Sequence, residues 1–194
     1  MNIGILRSLK SITLCSSLVL AMAAAAENWP QWRGPRANGS SSEKNLPAEW
    51  SKTENVAWSA EMPGPSAATP VIWGDHVFVA STDKPTRTLV ALCLDRRSGK
   101  VLWQHKVAEG FQRDERSTFA SASPVTDGER VFFFYGNGPL AAFDFTGRKL
   151  WERKIQKDYG DFAFLWTFSS SPLLYQGKLY LQVLQRDVPV NGRG

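Results

Sequence analysis

The sequence predicts an all-β fold: a β-propeller of four-stranded antiparallel blades, incomplete, with about 2.5–3.5 blades present. Three observations carry this. A self-similar unit recurs roughly every 48 residues. Each unit divides into short β-rich runs separated by turns containing Gly and Asp or Asn. No window of the chain after the first 26 residues supports an amphipathic helix, because Gly, Pro and β-branched residues interrupt each one.

The unit is visible in three segments: Ser66 to Val79 (S-A-A-T-P-V-I-W-G-D-H-V-F-V), Ala120 to Phe133 (A-S-A-S-P-V-T-D-G-E-R-V-F-F) and Ser169 to Leu181 (S-S-S-P-L-L-Y-Q-G-K-L-Y-L). Each runs from small residues to Pro, then an apolar stretch, a Gly-containing turn and an alternating strand. The prolines are Pro70, Pro124 and Pro172. A second shared piece follows twice, as Ala91 to Trp103 and as Ala141 to Trp151: an apolar strand, Asp95 or Asp144, a Ser/Thr-Gly turn at Gly99 or Gly147, then Trp103 or Trp151. These six residues are the structural repeat positions. Asp accepts backbone N–H groups across the turn, Gly supplies positive φ, and Trp packs between neighbouring blades.

Strands are expected near 66–73, 76–82, 88–94 and 101–107 for the first blade, 120–126, 130–135, 139–144 and 148–155 for the second, and 168–175 and 178–184 for half of a third. Aromatic and β-branched runs such as Val131 to Tyr135 support them. Asn55 to Met62, centred on Trp58, resembles the Trp-bearing strand alone. The chain therefore divides into 1–26, a 27–65 extension with a lone outer strand, and a partial propeller over 66–194. A ring needs four or more blades, so the sequence is expected to be the N-terminal fragment of a longer propeller.

The first segment has the order of a secretory signal: Arg7 and Lys10, an apolar run from Ser11 to Met22, then Ala23 to Ala26 before Glu27. The apolar run is about 12–16 residues, short of the ~20 that span a bilayer. Cleavage is expected after Ala26, placing the protein in the periplasm or outside the cell, with a helix over 5–22 detached from the β-body. Arg7 and Lys10 removed, 21 basic face 18 acidic side chains. With no run of five like charges, nucleic-acid binding is not supported. Cys15 and Cys93 exclude a disulfide framework. His76 and His105 make a poor metal set and are expected at the surface. The serine tracts 121–123 and 169–171 lack a nucleophile elbow and read as small-residue packing of inner strands. Gly136-Asn137-Gly138 is a turn with no following helix to bind an anion.

The repeat is similar to that of the pyrroloquinoline-quinone-like β-propeller superfamily, roughly A-x-D-x-x-T-G-x-x-x-W. Cys93 to Trp103 matches with Cys93 in place of Ala and Ser98 in place of Thr; Ala142 to Trp151 matches with one residue fewer before Thr146. Trp29-Pro-Gln-Trp-Arg-Gly-Pro35 and Leu46-Pro47…Trp50 also resemble the start of many exported members. The superfamily contains quinoprotein dehydrogenases and non-catalytic scaffolds of the outer-membrane barrel-assembly lipoprotein B type. The resemblance therefore implies two readings. The preferred one is an exported, non-catalytic binding or scaffold propeller with no cofactor and a protein or peptide partner in the cell envelope. The alternative is a pyrroloquinoline quinone-dependent alcohol dehydrogenase whose quinone and Ca²⁺ lie on blades outside this chain. Such enzymes carry an adjacent Cys-Cys pair, and none occurs here. No catalytic, cofactor-binding or metal-ligating residue is assigned. A partner-binding face is expected at the loops entering the second and third blades, carrying Arg113, Arg116, Tyr159, Phe162 and Trp166.

Overall fold

The computed structural model describes residues 26–163 and 166–183. Residues 1–25 of the signal-like segment with its expected helix, the end of the expected strand 178–184, and Phe164 lie outside them. Two antiparallel four-stranded sheets and one two-stranded sheet account for the β-structure. The first sheet comprises β1 (Val71–Trp73), β2 (His76–Asp83), β3 (Thr88–Asp95) and β4 (Val101–Glu109). The second comprises β5 (Val125–Thr126), β6 (Arg130–Phe134), β7 (Pro139–Asp144) and β8 (Lys149–Lys154). The last pairs β9 (Leu173–Tyr175) with β10 (Lys178–Tyr180). Strands follow chain order in each sheet, so these are two propeller blades and the inner half of a third.

The inner strands begin later than the sequence pattern suggests. Pro70, Pro124 and Pro172 have no N–H to give to a ladder, and each ladder starts just after its proline. The run around Trp58 forms no strand among the described residues. A short helix, α1 (Ile155–Tyr159), replaces the all-β expectation at the end of β8. It is only five residues long, and one buried side chain, Ile155, anchors it.

Period-2 alternation sorts the core. In β3, Leu89, Ala91 and Cys93 face the second blade, in a cluster with Phe78, Phe133 and Phe143. Val90, Leu92 and Leu94 face the opposite way and pack under Trp58, Ala60 and Met62. In the second blade, Phe134 and Leu140 turn toward Phe168, beside the third. The central strand β3 is thus buried on both faces, while β8 is exposed along its length. Both histidines lie half-buried, not at the surface: His76 stacks on Phe78, and His105 lies parallel to Phe143 at 5.3 Å. Blade packing consumes imidazole rings as it does phenyl rings.

Candidate functional site

The repeat positions form one device, built twice. Asp95 Oδ1 accepts the Ser98 N–H at 2.8 Å and the Ser98 hydroxyl at 2.6 Å. Asp144 Oδ1 accepts the Thr146 hydroxyl at 2.6 Å and the Arg148 N–H at 3.0 Å. These hydroxyl bonds chiefly hold both carboxyls below their ordinary range. Gly99 and Gly147 have φ of 71° and 90°. An indole covers each glycine: Trp58 over Gly99 and Trp103 over Gly147, so close that a Cβ would fall 2.4 Å and 2.7 Å from ring atoms. Trp58 donates its indole N–H to the Arg96 carbonyl at 2.8 Å, and Trp103 donates to the Phe145 carbonyl at 2.9 Å. Even the register irregularity repeats, beside Cys93↔Trp103 in one sheet and Ala142↔Trp151 in the other.

Trp151 departs from expectation. It is 37% exposed. Trp58 and Trp103 are covered by the turn of the following blade, and the described residues contain no third Asp…Ser/Thr-Gly turn to cover Trp151 in the same way.

A second repeated contact joins the inner strands. Ser123 Oγ accepts the Thr69 N–H at 2.9 Å, and Ser171 Oγ accepts the Ser123 N–H at 3.0 Å. Each hydroxyl precedes a repeat proline. These serines bridge adjacent blades, a role the small-residue reading missed; the Thr/Ser-Pro dipeptide at 69–70, 123–124 and 171–172 was the available signal.

The loops that lead into the second and third blades meet on one face. Asp114 joins them. Its carboxylate accepts the N–H groups of Arg116 and Ser117, the Ser117 hydroxyl at 2.7 Å, and, from the next loop, the Thr167 N–H at 3.1 Å. The Ser117 hydroxyl leads these bonds in holding its carboxyl well below the carboxylate range. Arg116 and Trp166, from the two tied loops, line a cavity of about 560 Å³ together with Asp114 and Thr167. Thr167 is 4% exposed and its Oγ1 has no partner among the described residues. A second cavity of about 480 Å³ shares Arg116 and adds Trp32, Ser123, Ser171 and Gln182.

Of the residues expected on this face, Arg116 and Trp166 come together, and Arg113 lines a small adjoining cavity of about 120 Å³. The other two lie elsewhere. Tyr159 ends α1, its ring beneath the Arg153 guanidinium. Phe162 is half-buried and packs against Phe134 and Phe168 at the edge of the core. Sequence reading overlooked Asp114 as the tie and Trp32 as a wall. The first was visible as an Asp three residues before Ser117; nothing in the sequence placed the second.

A Ca²⁺–quinone centre does not fit these residues. Asp95 and Asp144 gather turn N–H and hydroxyl donors on Oδ1, Asp144 Oδ2 pairs with the Arg148 guanidinium, and both oxygens of Asp114 accept loop donors. No three of His, Cys, Asp and Glu converge among the described residues, whereas Ca²⁺ takes six to eight oxygen ligands. Cys93 is alone and buried.

The family model described as outer membrane protein assembly factor BamB matches residues 40–186. No curated protein matches the chain. Among solved structures, BamB from Moraxella catarrhalis is 25% identical, with a TM-score of 0.45 over 64% of this chain and 32% of that one. A europium-containing methanol dehydrogenase is 19% identical, with a TM-score of 0.44 over 63% and 21%. The quinohemoprotein alcohol dehydrogenase from Comamonas testosteroni is 19% identical, with a TM-score of 0.43 over 60% and 17%. The chain therefore spans about a third or less of the length of these proteins. With the family model matching well over half of its residues on a repeat whose turns, indoles and bulges coincide, the chain belongs to the family of outer membrane protein assembly factor BamB.

Proposed function

We propose that this chain is part of an exported, non-catalytic propeller that holds a protein partner in the cell envelope through the face carrying Arg113, Arg116 and Trp166. One observation carries the reading: Asp114 fixes the loop bearing Arg116 and the loop bearing Trp166 around a shared cavity. Neither Arg113 nor Arg116 has an ion-pair partner among the described residues. Arginine and tryptophan are among the residue types that dominate binding hot spots, and fixing the loops that carry them lowers the entropy lost on association. The Asp114 carboxylate accepts hydrogen bonds from both loops, which keeps it ionised and engaged rather than available as a general base. The family's description as an outer-membrane assembly factor supports a protein partner.

The test is site-specific photo-crosslinking in an exporting bacterium. A crosslinker at positions 113, 116 or 166 should capture a discrete envelope protein, and Arg116→Glu should abolish capture from 166. Equal capture from Tyr175 and Tyr180, on the third blade's hairpin, would overturn the assignment of the face. Titration with pyrroloquinoline quinone and Ca²⁺ should give no binding heat and no dye-linked alcohol oxidation. Turnover would replace the scaffold reading with the dehydrogenase one.

A further inference from the structure

The segment after the signal-like sequence is pinned from its first residues. Trp29 exchanges both backbone hydrogen bonds with Ile72 of β1 at 2.8 Å, the Pro30 carbonyl accepts the Thr126 N–H of β5 at 2.9 Å, and Asn28 Oδ1 accepts the Gly74 N–H at 2.8 Å. This arm therefore lies along the inner strands of both blades, and Glu27 precedes it.

Glu27 is held at both ends. Its side chain, 18% exposed, accepts the Ser41 hydroxyl at 2.6 Å and the Ser42 N–H at 3.0 Å, and pairs with Arg36 at 3.2 Å. Its backbone nitrogen donates to Glu43 Oε1. The loop 36–43 thus forms a cup around one residue, and the carboxylate at its rim points at the main-chain nitrogen of that residue. Ala26, immediately before, is exposed.

We propose that the Ala26–Glu27 bond is the processing site of this protein and that the α-ammonium released there docks on the Glu43 carboxylate, closing the 36–43 loop over the N-terminal arm. The inference rests on the reading of the chain as exported. The step is a hydrolysis by an envelope signal peptidase. Water adds to the Ala26 carbonyl, the C–N bond breaks, Ala26 leaves as a carboxylate, and Glu27 keeps the nitrogen, protonated at neutral pH. Before cleavage the nitrogen offers Glu43 one neutral N–H. Afterwards it offers a full positive charge, and charge-assisted hydrogen bonds are roughly twice as strong as neutral ones.

The protein is exported in a Gram-negative host, recovered from the periplasm and analysed by intact mass and by the rate of α-amine reductive methylation. The expected first residue is Glu27. At pH 7.5 its amine should be methylated about five- to tenfold more slowly in the native protein than in Glu43→Gln, the drop that a rise of about one pK unit produces, and equally fast in both in urea. Glu43 is exposed, so the glutamine variant retains the fold. A different first residue, a pyroglutamate mass, or equal native rates would overturn the docking. Precursor retained in the cytoplasm with Met1 intact would overturn the export reading along with it. Loss of partner crosslinking alone touches neither.

Discussion

Trp103 and Phe145 are joined across the seam between two blades: the indole N–H at the edge of the first sheet donates to a turn carbonyl of the second at 2.9 Å, and the ring lies over Gly147. Trp58 and Arg96 repeat the relationship one blade earlier at 2.8 Å. The indole supplies apolar area and satisfies a turn carbonyl together, so seam stability and turn geometry are set by one contact.

Gly147→Ala should therefore destabilise by about 2–4 kcal/mol, combining an unfavourable positive φ with a methyl 2.7 Å from the ring. Trp103→Ala should cost about 3 kcal/mol. Because the same contact is lost in both, the double variant should cost less than the sum. Urea denaturation of the four proteins in the cycle measures the coupling, and strict additivity would show that ring and turn act separately.

Ser123→Ala leaves the Thr69 N–H without its acceptor and should cost about 1–3 kcal/mol. Ser123→Thr keeps the hydroxyl and should cost less. Amide hydrogen exchange at Thr69 should accelerate in the alanine variant only. Unchanged protection would mean that the seam is held by packing without these hydroxyls.

The carboxyl of Asp114 is depressed in the folded protein, so its contribution to stability is complete above the unfolded value near 3.9 and is lost as pH falls through the lower folded value. Asp114→Asn should remove that acid-dependent step and loosen 114–118 and 167 together, measured as faster exchange at both loops. It should weaken partner crosslinking from 166 several-fold. Loosening of one loop alone would contradict the tie between them.

Burial pushes the Cys93 thiol up to about 12. The thiol is then protonated at pH 8 and enclosed between blades. Native protein should resist maleimide at that pH and label fully in denaturant, which makes the labelling rate a reporter of seam opening. Rapid native labelling would show that the first seam opens readily.

The blades were legible in the sequence because their determinants are local. Asp95 and Asp144 cap turns within four residues of themselves, and alternation along β3 needs only the pleat. What was less legible depended on distant partners. Ser123 reads as a small residue until Thr69 is placed beside it, and Phe162 reads as surface until Phe134 and Phe168 pack against it. Asp114 acts through Thr167, on another loop. Trp151 shows the converse: its strand position was right, but its burial depends on a neighbour that the described residues do not contain. Among local signals the proline effect was misread, since Pro70, Pro124 and Pro172 end the extended lead-in rather than continue the ladder.

The two seam contacts also run in opposite chain directions, and that sets an order in time. Trp103 reaches forward to a turn carbonyl 42 residues ahead, while Ser123 reaches back to a residue already made. A polypeptide grows from its N-terminus. When Glu109 completes the first sheet, the face carrying Phe78, Leu89 and Cys93 still has no cover, and its indole has no turn to rest on until Gly147 emerges. Each nascent blade must therefore wait for most of its successor before its apolar side is closed, and it is during that interval that a chaperone would find a surface to hold.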